Sequence, residues 1–199
     1  IFLLTVRAYI SQIARDVHPE SKHGYYHSLK EAADKGLFEI GAVATTNYNR
    51  FIETILQTQV SFLNGSTETW YDPYLNRIGE RDSIKTDENH ILVPLMFTQS
   101  GTKPMTSIEM SIDYVNTYRE WTKADKIVIV GFGFGTDDEH INGIIRTLLD
   151  NDDKKIEIVT IESNKSADDL AKDYALKLKT SKFDNISVIQ VDGQGKDSE

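Results

Sequence analysis

The sequence predicts an α/β fold of the doubly wound kind, with a mainly parallel sheet and helices on both faces. Three observations carry that expectation. Ile127-Val128-Ile129-Val130 is a β-branched run without a charge, the composition of a parallel strand buried on both faces. Gly131, Gly133 and Gly135 follow at once, and then Ile141, Ile144, Ile145, Leu148 and Leu149 at helical spacing, so strand, glycine turn and helix succeed one another between Lys126 and Leu149. Along the rest of the chain the predicted helices and strands largely alternate, and alternation gives parallel strands joined by crossover helices.

The first predicted helix rests on Leu3, Val6, Ile10, Ile13 and Val17 and ends near Pro19. His18 to Gly24 is polar and reads as a loop, and Tyr25 to Lys35 is a second helix closed by Gly36. Phe38 to Ala44 is a short apolar strand with Thr45-Thr46-Asn47-Tyr48-Asn49 at its carboxyl end. Ile52, Ile55 and Leu56 mark a helix, and Gln59 to Leu63 a short strand. Asn64 to His90 shows no clear period; about twenty-five such residues form either a lid over a site or a surface insertion. Ile91 to Phe97, broken by Pro94, reads as an edge strand or an extended segment, and Gln99 to Pro104 as a loop. Ser107 to Lys123 is a helix on Ile108, Ile112, Val115, Tyr118 and Trp121.

After the central strand, Thr136-Asp137-Asp138-Glu139 spells a capping box. Ile156 to Ile161 is a second buried strand, Ser166 to Lys179 a helix capped by Ser166, and Ile186 to Val191 the last strand. One Rossmann-like domain is therefore expected over residues 1–192, with a disordered tail over 193–199.

Composition narrows the function. The chain has 199 residues, 39% hydrophobic and 27% charged, with a net charge of -9 and no basic stripe, which argues against direct nucleic-acid binding. It has no cysteine, so disulfides and thiolate metal sites are excluded and a reducing cytoplasm is expected. No apolar run approaches the ~18 residues of a membrane span. The first residue is Ile, which leads to the expectation of a fragment or processed form.

In an open parallel sheet, ligands bind outside the carboxyl ends of the strands. Three polar clusters fall there: Thr45 to Asn49, Gly131 to Asp137, and Glu162-Ser163-Asn164. The glycines are not a dinucleotide fingerprint, because the sixth position counted from Gly131 is Thr136. The acidic first turn also occupies the place a pyrophosphate would take. The loop therefore suits a ribose or a base approached closely by backbone, or it is a tight turn with no ligand. Glu162 stands where a carboxylate bonds a ribose hydroxyl, or it is a solvated strand-end acid.

These clusters together resemble the sirtuin-like (silent information regulator) family. Tyr26-His27-Ser28-Leu29 followed by Ala44-Thr45-Thr46-Asn47-Tyr48-Asn49 is similar to its His-x-x-Leu helix and Thr-Gln/Thr-Asn-x-Asp motif. Val93-Pro94-Leu95 with Gln99-Ser100-Gly101-Thr102-Lys103-Pro104 resembles the segment leading into its last third. Val130-Gly131-Phe132-Gly133-Phe134, with Asp137 or Asp138 after it, resembles the loop lining the adenine ribose. The resemblance runs from about Tyr25 to about Val191, and it is nearest the bacterial members that lack the zinc module and often sit in anti-phage systems.

The resemblance implies NAD or ADP-ribose as the nucleotide, with further domains or a homo-oligomer as company. It implies cofactor contacts at Thr45, Thr46, Gly131, Phe132, Gly133 and Glu162, no metal site, and catalytic positions at Asn47, Asn49 and Asn64. Asn47 matches the amide that contacts the nicotinamide ribose and positions a water. Two of the three positions depart from the pattern: Asn49 replaces an Asp, and Leu63-Asn64-Gly65 stands where a catalytic His-Gly pair is expected. Asn is no general base near neutral pH; His90 would replace His only if the long loop folded over the site. The family's first strand and Gly-Ala-Gly-x-Ser loop do not precede Tyr25, so the main phosphate cradle is expected either to lie outside this chain or to be absent from the protein.

Three functions follow: a hydrolase of the NAD glycohydrolase kind releasing nicotinamide, a degenerate NAD or ADP-ribose sensor or scaffold, and an NAD-dependent protein deacylase. The missing zinc module counts against the third.

Overall fold

A computed structural model describes residues 1–15, 24–83, 91–97, 107–161 and 163–192. The chain divides into two compact units, residues 1–100 with 104–117, and residues 101–103 with 118–199.

The first unit starts with α1 (Phe2–Arg15) and α2 (Tyr25–Asp34). Gly36, at φ +73°, closes α2 by donating to the Ala33 carbonyl, and Leu37 N–H reaches the Ala32 carbonyl, so the end expected from this glycine forms. The strand expected over Phe38 to Ala44 shrinks to β1 (Val43–Thr45). Leu37 and Phe38 are exposed, because only the last residues of the run find a partner. That partner is β2 (Val60–Phe62), parallel to β1 with Thr45 opposite Phe62, and α3 (Phe51–Leu56) joins them.

The stretch read as irregular from Asn64 onward is a hairpin over its described part. Strand β3 (Gly65–Asp72) pairs antiparallel with β4 (Arg77–Glu80) on one side and β5 (Val93–Met96) on the other. The turn has side-chain chemistry of its own. Asp72 Oδ1 accepts from the amides of Tyr74 (2.8 Å) and Leu75 (3.2 Å), Pro73 presets the first bend, and Asn76 takes the left-handed conformation at φ +53°. β5 is an edge strand, as Pro94 requires. Leu56, Val60, Leu63, Trp70, Leu95, Met96, Met110 and Tyr114 form the core of this unit, the last two from α4 (Ile108–Lys123). Arg7 and Arg81 both lie over the Trp70 ring, at 4.8 and 5.1 Å from its centroid.

The second unit is the predicted parallel part: β6 (Ile127–Val130), α5 (Glu139–Asp150), β7 (Ile156–Ile161), α6 (Ala167–Leu178) and β8 (Ile186–Val191). The strands lie in the order β6-β7-β8, all parallel, with β7 central. Ile156, Ile158 and Ile186 are buried with Ile141, Ile145, Leu148 and Leu149 of α5 and with Ala171, Tyr174, Ala175 and Leu178 of α6. Ser166 caps α6 as expected, accepting from the Asp169 amide at 3.1 Å.

Two local expectations are corrected here. The run Ile127–Val130 is buried on one face only: Ile127 is 7% exposed, but Val128 is 49% and Val130 40%. Composition reports what a strand tolerates, and the neighbours decide what covers it. The capping box does not form either. Thr136–Asp138 is a 3-10 turn, and α5 starts at Glu139 without a side-chain cap. Glu139 instead turns to Arg146 and Lys179. Its hydrogen bond from Arg146, helped by Lys179 at 3.2 Å, holds its pKa below the usual carboxylate value.

A folded-state pKa below the unfolded one means stability that is present at neutral pH and lost as pH falls through the folded pKa. Glu139→Gln is therefore expected to lower the urea midpoint at pH 7, with the difference from wild type shrinking below about pH 4. Parallel midpoint curves down to acid would contradict it.

Candidate functional site

In the first unit, Thr45, Thr46, Asn47 and Asn49 come together in one turn at the carboxyl end of β1. Burial of Thr45 fixes its side chain, and Thr45 Oγ1 accepts from the Asn47 amide at 3.1 Å. That local bond bends the chain sharply and leaves the Asn47 side chain exposed while Thr46 is half-buried. Asn49 has structural work: its Oδ1 accepts from the Phe51 amide at 3.3 Å at the start of α3. A shallow apolar depression of about 200 Å³, lined by Ile10, Ile13, Ala14, Asn49 and Phe51, lies beside it.

The turn is anchored on every side. Tyr48 donates its hydroxyl to the Phe97 carbonyl, and its own carbonyl accepts from the Thr67 amide at 2.9 Å. Arg50 binds Glu53, Glu68 at 2.9 Å and Glu80 at 3.3 Å, tying the turn to β3 and β4. The hydrogen bond to Glu53 is the first reason the guanidinium pKa lies above its already high value. Asn47 thus projects from a rigid frame.

Asn64 is placed differently. It is 6% exposed, its carbonyl accepts from the Phe97 amide at 2.8 Å, and it follows Leu63, whose carbonyl accepts the Tyr114 hydroxyl. It is a buried joint between β2, β3 and β5. Glu162, His90 and the loop Gln99 to Pro104 lie outside the described residues, as does the tail from residue 193.

In the second unit, Gly131 continues the ladder, its amide donating to Val159 at 3.0 Å, and turns the chain at φ +66°, a left-handed conformation that favours glycine. Phe132 is half-buried and meets the Phe134 ring at 5.0 Å between centroids. Phe134 itself is 3% exposed at φ +53°, and its ring also meets Tyr174 at 5.2 Å. A bulky side chain in that conformation is uncommon, and here the buried ring holds it. Gly133 is exposed, its φ does not demand glycine, and a Cβ there would meet nothing within 4 Å. Among the described residues, neither strain nor packing explains the missing side chain.

Sequence reasoning missed two side chains that shape this loop. Asn142, 1% exposed on α5, donates Nδ2 to the Gly135 carbonyl at 2.9 Å, and Lys177 of α6 donates Nζ to the Gly133 carbonyl at 3.0 Å. Asn142 gave a signal, as a lone polar residue on the apolar face of α5. Lys177 gave none.

Among the described residues, no group of three or more His, Cys, Asp or Glu is placed to hold a metal, and no helix is long and apolar enough to cross a membrane. No protein-family model matches the chain, and no curated protein matches it. Solved structures do. The chain is similar to Sir2 sirtuins. A Sir2 point mutant solved with a p53 peptide and NAD is 18% identical over 71% of this chain and 60% of that one, with a TM-score of 0.44. Sir2 bound to an acetylated peptide is 17% identical over 69% and 58%, with a TM-score of 0.44. Sir2 with an inhibitor, 2′-O-acetyl-ADP-ribose and a deacetylated p53 peptide is 17% identical over 69% and 59%, with a TM-score of 0.45. The chain therefore spans about 60% of the length of the sirtuin structures it matches.

Proposed function

We propose that this chain carries an NAD-handling domain that splits the nicotinamide–ribose bond, releasing nicotinamide and ADP-ribose. The observation that supports it is the exposed Asn47 side chain, held at the end of β1 by the Thr45 hydroxyl and by the anchored turn around it. In the reaction a water oxygen bonds to the ribose carbon as its bond to the nicotinamide nitrogen breaks. The bonding electrons neutralise the pyridinium ring, and the water gives up a proton to solvent. A neutral amide bonds ribose hydroxyls and water without repelling the cationic centre that develops. Thr45 holds the turn that presents that amide, its hydroxyl accepting from the Asn47 backbone N–H. Taken by itself, the glycine loop of the second unit is read as an element that receives a ribose or base. The setting proposed is the bacterial cytoplasm, in anti-phage defence.

The test is nicotinamide release from NAD by the purified chain, followed by chromatography. Asn47→Ala is expected to reduce release by about 100-fold or more, the size typical of a lost transition-state contact, with an unchanged melting temperature because the side chain is exposed. Equal rates in both proteins would remove Asn47 from the chemistry.

A second reading, a nucleotide sensor without turnover, has its own support. Asn64 is a buried joint and Asn49 is engaged at the start of α3, so two of the three catalytic positions serve the fold. Binding of ADP-ribose without nicotinamide release would establish it.

A further inference from the structure

We infer that Asn142 and Lys177 are a pair of positioning residues that set the shape of the Gly131–Gly135 loop for its ligand. This rests on the reading of that loop as a nucleotide-binding element. The two side chains come from different helices and take the carbonyls of alternate glycines: Asn142 takes Gly135 at 2.9 Å, Lys177 takes Gly133 at 3.0 Å. Between those two points sits Phe134, with its positive φ and its buried ring. A loop of glycines has many backbone states, and a ligand that needs one of them binds more weakly in proportion to the others. Carbonyl clamps on both sides of a buried anchor remove that freedom.

Each clamp is itself held. Lys177 Nζ lies 5.5 Å from the Tyr174 ring centroid, and that ring packs on Phe134, so the ammonium is steered over the loop by the same cluster that anchors it. Asn142 is committed by burial. Because a carbonyl oxygen accepts only, the amide nitrogen faces Gly135, and Oδ1 is left buried without a hydrogen-bond partner among the described residues. An amide kept in an apolar face with half its capacity unused costs stability that Leu at this position would not. Its presence there fits a role in shaping the loop better than a role in packing.

The experiment uses the full chain and three variants: Lys177→Met, which keeps the aliphatic stem, Lys177→Arg, which keeps a donor, and Asn142→Leu. Two quantities are read: ADP-ribose affinity by calorimetry and hydrogen exchange of the loop amides in the free protein. Lys177→Met and Asn142→Leu are each expected to weaken binding roughly tenfold and to speed exchange across residues 131–135, with Lys177→Arg close to wild type. Lys177 is an exposed residue, so Lys177→Met keeps its melting temperature and separates positioning from folding. Unchanged exchange and affinity in Lys177→Met and Asn142→Leu would overturn the inference. If the wild-type chain binds no ADP-ribose, the nucleotide reading of the loop fails by itself, and loop exchange in the variants still decides whether the clamp exists.

Discussion

Gly65→Ala is expected to destabilise the protein by about 3 kcal/mol or more, lowering the melting temperature by roughly 6–12 °C. Gly65 has φ +77°, and a Cβ there would sit 1.9 Å from the Leu95 carbonyl oxygen and 2.8 Å from its carbon. Both are backbone atoms of β5, so relief means pulling β5 away from β3 where Gly65 pairs with Met96 and the register shifts before Trp70. The separation would disturb the buried Leu95 and Met96 and the Phe97 amide that donates to Asn64. Gly36→Ala is the control: φ is +73°, but nothing lies within 4 Å, so only the left-handed penalty of about 1–2 kcal/mol applies. Thermal unfolding of the two variants side by side checks the claim; equal losses would mean that the close approach at Leu95 does not matter.

Ile158→Ala should have the next largest effect, about 2–5 kcal/mol, while Ile161→Ala changes stability by less than about 0.5 kcal/mol. Both residues are on β7, three apart, and so point to opposite faces. Ile158 is 0% exposed within the core shared with α5 and α6, and truncating it leaves a cavity in the middle of the sheet. Ile161 is 67% exposed, so truncation removes little that was buried. Urea denaturation followed by circular dichroism gives both values. A comparable loss for Ile161→Ala would show that the outer face of β7 is covered in solution.

That pair also shows where sequence patterns stop. Ile156 to Ile161 reads as one buried strand because all but two of its side chains are apolar, yet its two faces differ. The hairpin after Asn64 was not read from the sequence: Asp72, Pro73 and Asn76 carry turn chemistry, but the charged and polar residues around Trp70 obscure the alternation. The candidate site was legible as far as the Thr45–Asn49 turn and the glycines, which are local. The engagement of Asn64 with Phe97 was hidden, because it needs β5 to be laid against β3 first.

The sequence alone determined the local structure: the parallel strand–helix units of the second half, the glycine that ends α2, the serine that caps α6, and the proline that sends β5 to an edge. The two caps depend on dihedral preferences and hydrogen bonds among residues within a few positions of one another. The strand–helix units and the edge strand depend on hydrophobic period, crossover rules and the donor that proline lacks. The tertiary structure alone decided which face of β6 to β8 is covered, why Gly65 must be glycine, and which side chains hold the glycine loop. Lys177 meets the carbonyl of Gly133 across 44 residues of sequence, and no periodicity records such a contact, since it exists only once α6 has packed beside the loop.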